Sequence, residues 1–151
     1  MASLRFDLNF LGYWRYVNRG GVPENSGVYC VYASTYDSNS DTVTLKRLLY
    51  IGEAGNMRER LENHEKLEDW KKQLKAGEII SFSCTKVDSY YRERVEAALI
   101  YKHKPPVNTE YVNNFPYDET TISTSGRNEL LSAYFTVYRT TNNRSTLLGG
   151  W

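Results

Sequence analysis

Arg60 and His64 stand four residues apart in a segment that opens at Asn56 and carries Met57 and Leu61 as an apolar stripe. On a helix, at roughly 100° per residue, that spacing leaves the two about 40° apart on one face. Arg58 points about 120° away from His64 on the same count. Arginine offers a forked donor set matched to phosphoryl oxygens, and histidine can donate a hydrogen bond or move a proton, so the pair could meet a phosphate. Taken alone, it equally describes a solvated helix flank. Glu96 lies beside a second stripe of Tyr91, Val95, Ala98 and Leu99. A carboxylate there could hold a hard divalent cation with water as the other ligands. It could equally pair with Arg92 four residues earlier, an interaction worth only about a few tenths of a kcal/mol. Other chemistries lack their residues. Cysteine and histidine do not occur at zinc-ligand spacing, and no Walker loop, dinucleotide glycine fingerprint or Gly-x-Ser-x-Gly elbow is present.

The elements that must position these residues can be read along the chain. Residues 27–34 (Gly-Val-Tyr-Cys-Val-Tyr-Ala-Ser) read as a strand rich in β-branched and aromatic residues. The polar run 35–41 reads as a loop and 43–52 as a second strand, together an antiparallel hairpin. Asn56 is the expected N-cap of a helix running to about residue 66, with Glu59 completing a variant capping box. Residues 67–75 read as a second helical segment ending at Gly77, and 78–87 as a third strand. Asp88-Ser89 then caps a helix from Tyr90 to about His103, stopped by Pro105-Pro106. Residues 1–26 are an apolar and aromatic lead-in ending in turn chemistry at Gly20-Gly21 and Pro23. The tail from Asn108 is polar, with short strands expected at 120–124 and 134–140. The order β-β-α-α-β-α predicts a small α+β domain: an antiparallel three-stranded sheet flanked by helices.

The bulk numbers set the frame. A chain of 151 residues with 40% hydrophobic and 25% charged residues fits one folded domain with a real core. A formal net charge of +1 leaves no overall electrostatic footprint for nucleic acid. Cys30 and Cys84 each sit in an apolar strand and read as buried, reduced thiols of an intracellular protein. The start, Met-Ala-Ser-Leu-Arg-Phe-Asp, lacks an apolar signal region, and the longest aliphatic stretch, 97–100, is too short to span a bilayer. A cytoplasmic protein that does not enter the membrane is expected.

Taken as a set, the residues resemble a known family. Gly27-Val28-Tyr29 on one strand and Tyr50-Ile51-Gly52 on the next resemble the two signature tripeptides of the GIY-YIG nucleases. Asn56, Arg60 and His64 match the N-x3-R-x3-H pattern of the family's helix in order and spacing. Glu96, in Val-Glu-Ala-Ala-Leu-Ile, resembles its metal-binding glutamate, and Asn108, after Pro-Pro-Val, its terminal asparagine. The resemblance covers about residues 26–110, so that 1–25 and 111–151 become extensions packed on a core within a single domain. Two features depart from the pattern. Twenty residues, 30–49, separate the tripeptides where many relatives have a shorter hairpin, and Glu53 stands where some relatives carry a lysine.

The resemblance implies a metal-dependent endonuclease, of the restriction-like or small bacterial or phage kind, that hydrolyses phosphodiester bonds in DNA; RNA is not excluded as a substrate. Tyr29 would activate the attacking water, with Tyr50 the next choice and His64 a proton partner. Glu96 would hold one Mg²⁺ or Mn²⁺, Arg60 would neutralise phosphoryl charge, and Asn108 would hold the loop after the Glu96 helix. A homodimer would let so small a chain cut both strands of a duplex. Aromatics and arginines of the flanks, Trp14, Arg15, Tyr16 and Arg19 on one side and Arg127, Arg139 and Arg144 on the other, could stack bases and hold phosphates. The competing reading is a catalytically silent nucleic-acid-binding or protein-interaction module with the same fold.

Overall fold

The computed structural model describes residues 3–141. Its hairpin of β2 (Gly27–Asp37) and β3 (Thr42–Ala54) is longer than the hydrophobic pattern suggested. Thr35, Tyr36 and Asp37 continue the ladder onto Thr44, Val43 and Thr42, so only residues 38–41 form the turn. Asp41 closes it with φ 52° and accepts a hydrogen bond from Tyr36 Oη at 2.7 Å. Strand β4 (Ile79–Lys86) adds antiparallel to the other side of β2.

The expected three-stranded sheet is not what forms. The lead-in supplies β1 (Leu4–Arg15), antiparallel to β4, and the tail supplies β5 (Thr120–Gly126), parallel to β1, and β6 (Tyr134–Val137). The result is a six-stranded mixed sheet, curled into a half-barrel, in the order β3-β2-β4-β1-β5-β6. The supposed extensions are therefore half of the sheet, and β1 is an interior strand. The cause is visible in β1. Leu8 and Phe10 are buried while Arg5, Asp7 and Asn9 are exposed, the period-2 alternation of a strand with one covered face.

Both faces of the β2 region are covered. Val28, Cys30 and Tyr32 pack in one cluster with Val95, Ala98 and Leu99 of the long helix α3 (Arg92–His103). Tyr29, Val31 and Ala33 point the other way. They pack with Val22, with Met57 and Leu61 of α1 (Met57–Glu62), and with Trp70 of α2 (Leu67–Lys72). A strand buried on both sides can be a nearly continuous apolar run, which is what residues 28–33 are. Buried Arg94 ties α3 to the tail: its Nε donates to Thr120 Oγ1 at 2.9 Å and its Nη2 to the carbonyls of Asp118 and Glu119 at 3.1 and 3.0 Å. Among the described residues no helix is long and apolar enough to cross a membrane.

Candidate active site

Strand β3 is one edge of the sheet, with α1 on one face and α3 on the other. Where the two layers meet at this edge lies a cleft of about 350 Å³. Its lining includes Tyr29, Tyr50, Arg60, Glu96 and Asn108, brought from β2, β3, α1, α3 and the segment after α3.

Tyr29 faces Gly52 across the β2–β3 ladder. Its ring lies over that glycine, because a Cβ there would sit 2.9 Å from Tyr29 Cε1 and closer still to Cζ and Oη. The terminal glycine of the second tripeptide is thus the bed on which the first tyrosine rests. Gly27 has a parallel role: a Cβ would press on the Thr85 carbonyl and come within 2.8 Å of Met57 Sδ. Tyr50 pairs with Val31, after which the register slips so that Tyr32 faces Leu48. This irregularity re-aims the strand's side chains as bulges do. It leaves the Tyr50 ring 6.4 Å from Tyr29 and 5.6 Å from each of His64 and Trp70, centre to centre.

His64 does not share a helix face with Arg60. Helix α1 ends at Glu62, and Asn63 leaves helical geometry at φ −148°, ψ 77°. His64 turns inward beneath the cleft and is 6% exposed. The Lys66 backbone N–H donates to its Nδ1 at 3.0 Å, which places the ring proton on Nε2. Nε2 lies 2.8 Å from Tyr29 Oη, so the imidazole donates to the phenol oxygen. Burial, aided by the Arg60 charge, pushes the imidazole down to about 4, so it is neutral at physiological pH. Tyr29 is held protonated, well above the ordinary phenol value, chiefly by burial. Tyr50 and Glu96 add to the rise, and Arg60 opposes it.

Asn56 caps α1 as expected, its side chain accepting from the Glu59 N–H at 3.1 Å. Arg60, in the last turn, is one-third exposed and pairs with exposed Glu65 at 2.7 Å. Arg58 faces away and donates to the Val22 carbonyl at 2.7 Å. Asn108 binds the open edge of β3. Its Oδ1 accepts from the Ile51 N–H and its Nδ2 donates to the Ile51 carbonyl, both at 2.9 Å. Val107 N–H reaches the Leu49 carbonyl at 3.0 Å alongside. Two residues thus act as a short substitute strand, holding the stretch that carries Tyr50 and Gly52.

Glu96 is half-buried, and no ion pair among the described residues reaches it. Arg92 is turned instead to Glu53 and to Ser26 Oγ. Burial first, then the charges of Glu53, Glu93 and Glu110, push the Glu96 carboxyl up to about 8. These three carboxylates line the same cleft, and sequence reasoning did not assemble them. Glu93 had a readable signal, sitting one turn before Glu96 on the same face; Glu110 had none.

A carboxylate crowded by like charges and lacking a cation partner is chemically suited to a hard divalent ion. No group of three or more His, Cys, Asp or Glu side chains among the described residues could hold a metal by itself. One carboxylate such as Glu96 matches the needs of an ion like Mg²⁺ only if water supplies most of the other ligands. Among the described residues, the flank residues proposed for substrate contacts do not line this cleft. Arg15 and Arg19 cover the rings of Tyr36 and Tyr16 at 3.8 and 3.9 Å, and Arg139 pairs with Asp118 at 2.9 Å. Trp14 joins the cluster beneath β4, and Arg127 reaches the Gly12 carbonyl at 3.3 Å. Arg144 lies outside the described residues. Comparison with family models, with curated proteins and with solved structures finds no match to the chain.

Proposed function

We propose that the cleft hydrolyses phosphodiester bonds in DNA with the help of one divalent cation, Mg²⁺ or Mn²⁺. The observation that carries this reading is the convergence of Tyr29, Tyr50, Arg60, Glu96 and Asn108, from five separate segments, on one cleft, with His64 bonded to Tyr29 beneath it. Tyr29 and Tyr50 meet through the β2–β3 hairpin, and Arg60, Glu96 and Asn108 arrive from three further segments. The motif resemblance to GIY-YIG nucleases supports the same activity.

In this reading Tyr29 Oη takes a proton from the attacking water as the new oxygen–phosphorus bond forms. Its phenolate form is favoured by two neighbouring groups: the His64 Nε2–H donor and the Arg60 guanidinium, whose charge lowers the phenol's proton affinity. Burial opposes ionisation, so Tyr29 needs further positive charge nearby to act at neutral pH. Glu96 would hold a divalent cation, which would supply that charge and Lewis-acid stabilisation to the leaving oxygen as its bond to phosphorus breaks. Arg60 offers its fork to the phosphoryl oxygens by loosening from exposed Glu65, an ion pair weak enough to exchange. Asn108 and Gly52 position Tyr50 and Tyr29 and touch no reacting atom.

A second reading has one observation in its favour. Glu53, Glu93, Glu96 and Glu110 crowd the cleft and repel phosphate unless a cation intervenes, which suits a catalytically silent binding module. Supercoiled plasmid and single-stranded circular DNA, incubated with Mg²⁺, Mn²⁺ or EDTA beside Glu96→Ala, separate the two. Metal-dependent products that vanish in the variant are the expected result. Equal cutting by both proteins removes Glu96 from the mechanism, and no cutting of either substrate favours the silent module.

A further inference from the structure

One turn of α3 before Glu96, a second pocket of about 400 Å³ opens between Tyr90, Tyr91, Tyr117 and Leu4, with Glu93 in its wall. We propose that this pocket receives an unstacked nucleobase of the strand whose phosphate lies over Glu96. The inference rests on the phosphodiesterase reading for what lies next door, but the pocket's own chemistry is independent of it.

Three observations converge. First, the lining is aromatic and mostly apolar, yet open. Tyr90 is 82% exposed, the most exposed of the large hydrophobic side chains among the described residues, and stands edge-on to Tyr91 at 4.9 Å between centres. Tyr91 is fixed from behind by Phe6 of β1 at 5.3 Å. A fixed ring beside an exposed one is a stacking platform, and every base has a π-face to offer it. Second, the pocket adjoins the cleft. Glu93 lines both, and Glu93 and Glu96 are only roughly 5 Å apart along the helix axis at one turn's separation. Tyr111 Oη donates to Glu93 Oε2 at 3.2 Å, and Tyr117 senses the charges of both Glu93 and Glu96. Third, Glu93 is an acceptor without an ion pair among the described residues, and can take the exocyclic amine of a base.

A base that stacks on Tyr90 must be free of its neighbours, because a base stacked within a duplex has no open face to offer. The substrate class that follows is DNA that is single-stranded, or locally unpaired, at the nucleotide next to the cut.

Fluorescence anisotropy with Ca²⁺ as the cation, which offsets the cleft's carboxylates while replacing the Mg²⁺ or Mn²⁺ that cutting requires, tests the pocket without relying on catalysis. The probes are a short labelled oligodeoxynucleotide and the same sugar–phosphate strand made without bases. The parent protein is expected to bind the base-bearing strand more tightly than the abasic one. Tyr90→Ala should lose roughly five- to hundred-fold on the first and nothing on the second, and Tyr90→Phe should retain the parent's affinity. Equal binding of both strands by the parent, no binding at all, or an undiminished affinity in Tyr90→Ala overturns the proposal. Plasmid cutting by the parent and by Glu96→Ala is scored separately. Loss of the nuclease reading with intact Tyr90-dependent binding, and the reverse, are therefore distinct results.

Discussion

Replacing Gly52 by alanine adds one methyl group at the point where the Tyr29 ring crosses β3. The new Cβ would lie 2.9 Å from Tyr29 Cε1, with Cζ and Oη nearer still. Carbon atoms settle at about 3.5–4.0 Å, so the ring must retreat by roughly 1 Å. It has little space to do so, because Tyr29 is 1% exposed and hydrogen-bonded to His64 at 2.8 Å. Overpacking of this kind costs about 1–3 kcal/mol of stability. A displacement of about 1 Å in a reacting group lowers rate roughly a hundred-fold. The assay is metal-dependent plasmid cutting by Gly52→Ala, at a temperature where circular dichroism shows the variant folded. Gly55→Ala, three residues on, is the control. Its Cβ would meet only Arg92 Nη1 at 3.9 Å, so stability should move by no more than about 0.5 kcal/mol. A folded Gly52→Ala protein that cuts at the parent's rate would refute the placement of Tyr29 in the reaction.

Asn108→Ala removes both bonds to the Ile51 backbone and should cost about 1–3 kcal/mol. Amide exchange at Ile51 should accelerate, while that at Cys30, inside the sheet, changes only with global stability. Arg94→Met leaves Thr120 and two carbonyls without their donor and should cost roughly 2–4 kcal/mol. Calorimetry should then show a melting temperature lower by about 4–16 °C. The His64 imidazole is depressed to about 4 in the folded protein, against 6.5 as its ordinary value, so the unfolded chain takes up that proton first. Stability from this group is complete above pH 6.5 and is lost as pH falls toward 4, at no more than about 1.4 kcal/mol per pH unit. Urea melts of the parent and of His64→Gln across that window should differ in slope, the variant being flatter; identical slopes would contradict the neutral, buried imidazole.

What the sequence determined by itself is local. The β2–β3 hairpin, β4, the start of α1 and the end of α3 announce themselves through β-branched alternation, the Asn56 cap and the Pro105-Pro106 stop, because each signal lies within a few residues of the element it specifies. The two tripeptides, Arg60, Glu96 and Asn108 were legible as a set for the same reason. Residue type and spacing survive whatever surrounds them, and of that set Tyr29, Tyr50, Arg60, Glu96 and Asn108 line one cleft.

Tertiary structure alone decided the rest. Strand β1 alternates legibly at Phe6, Leu8 and Phe10, but its parallel partner β5 is Thr120 to Gly126, a run of threonine and serine with a single Ile122 and no hydrophobic period. Thr120 and Thr124 are buried, and Thr120 is met there by Arg94, a helix residue 26 positions away. No local pattern records that pairing. His64 obeys the same logic. Its spacing from Arg60 suggested one helix face, yet the chain leaves the helix at Asn63 to bury the imidazole under Tyr29. Where a side chain goes depends on which distant surface can satisfy it. A hydrophobic period shows only that a surface must exist, and the folded chain supplies the surface.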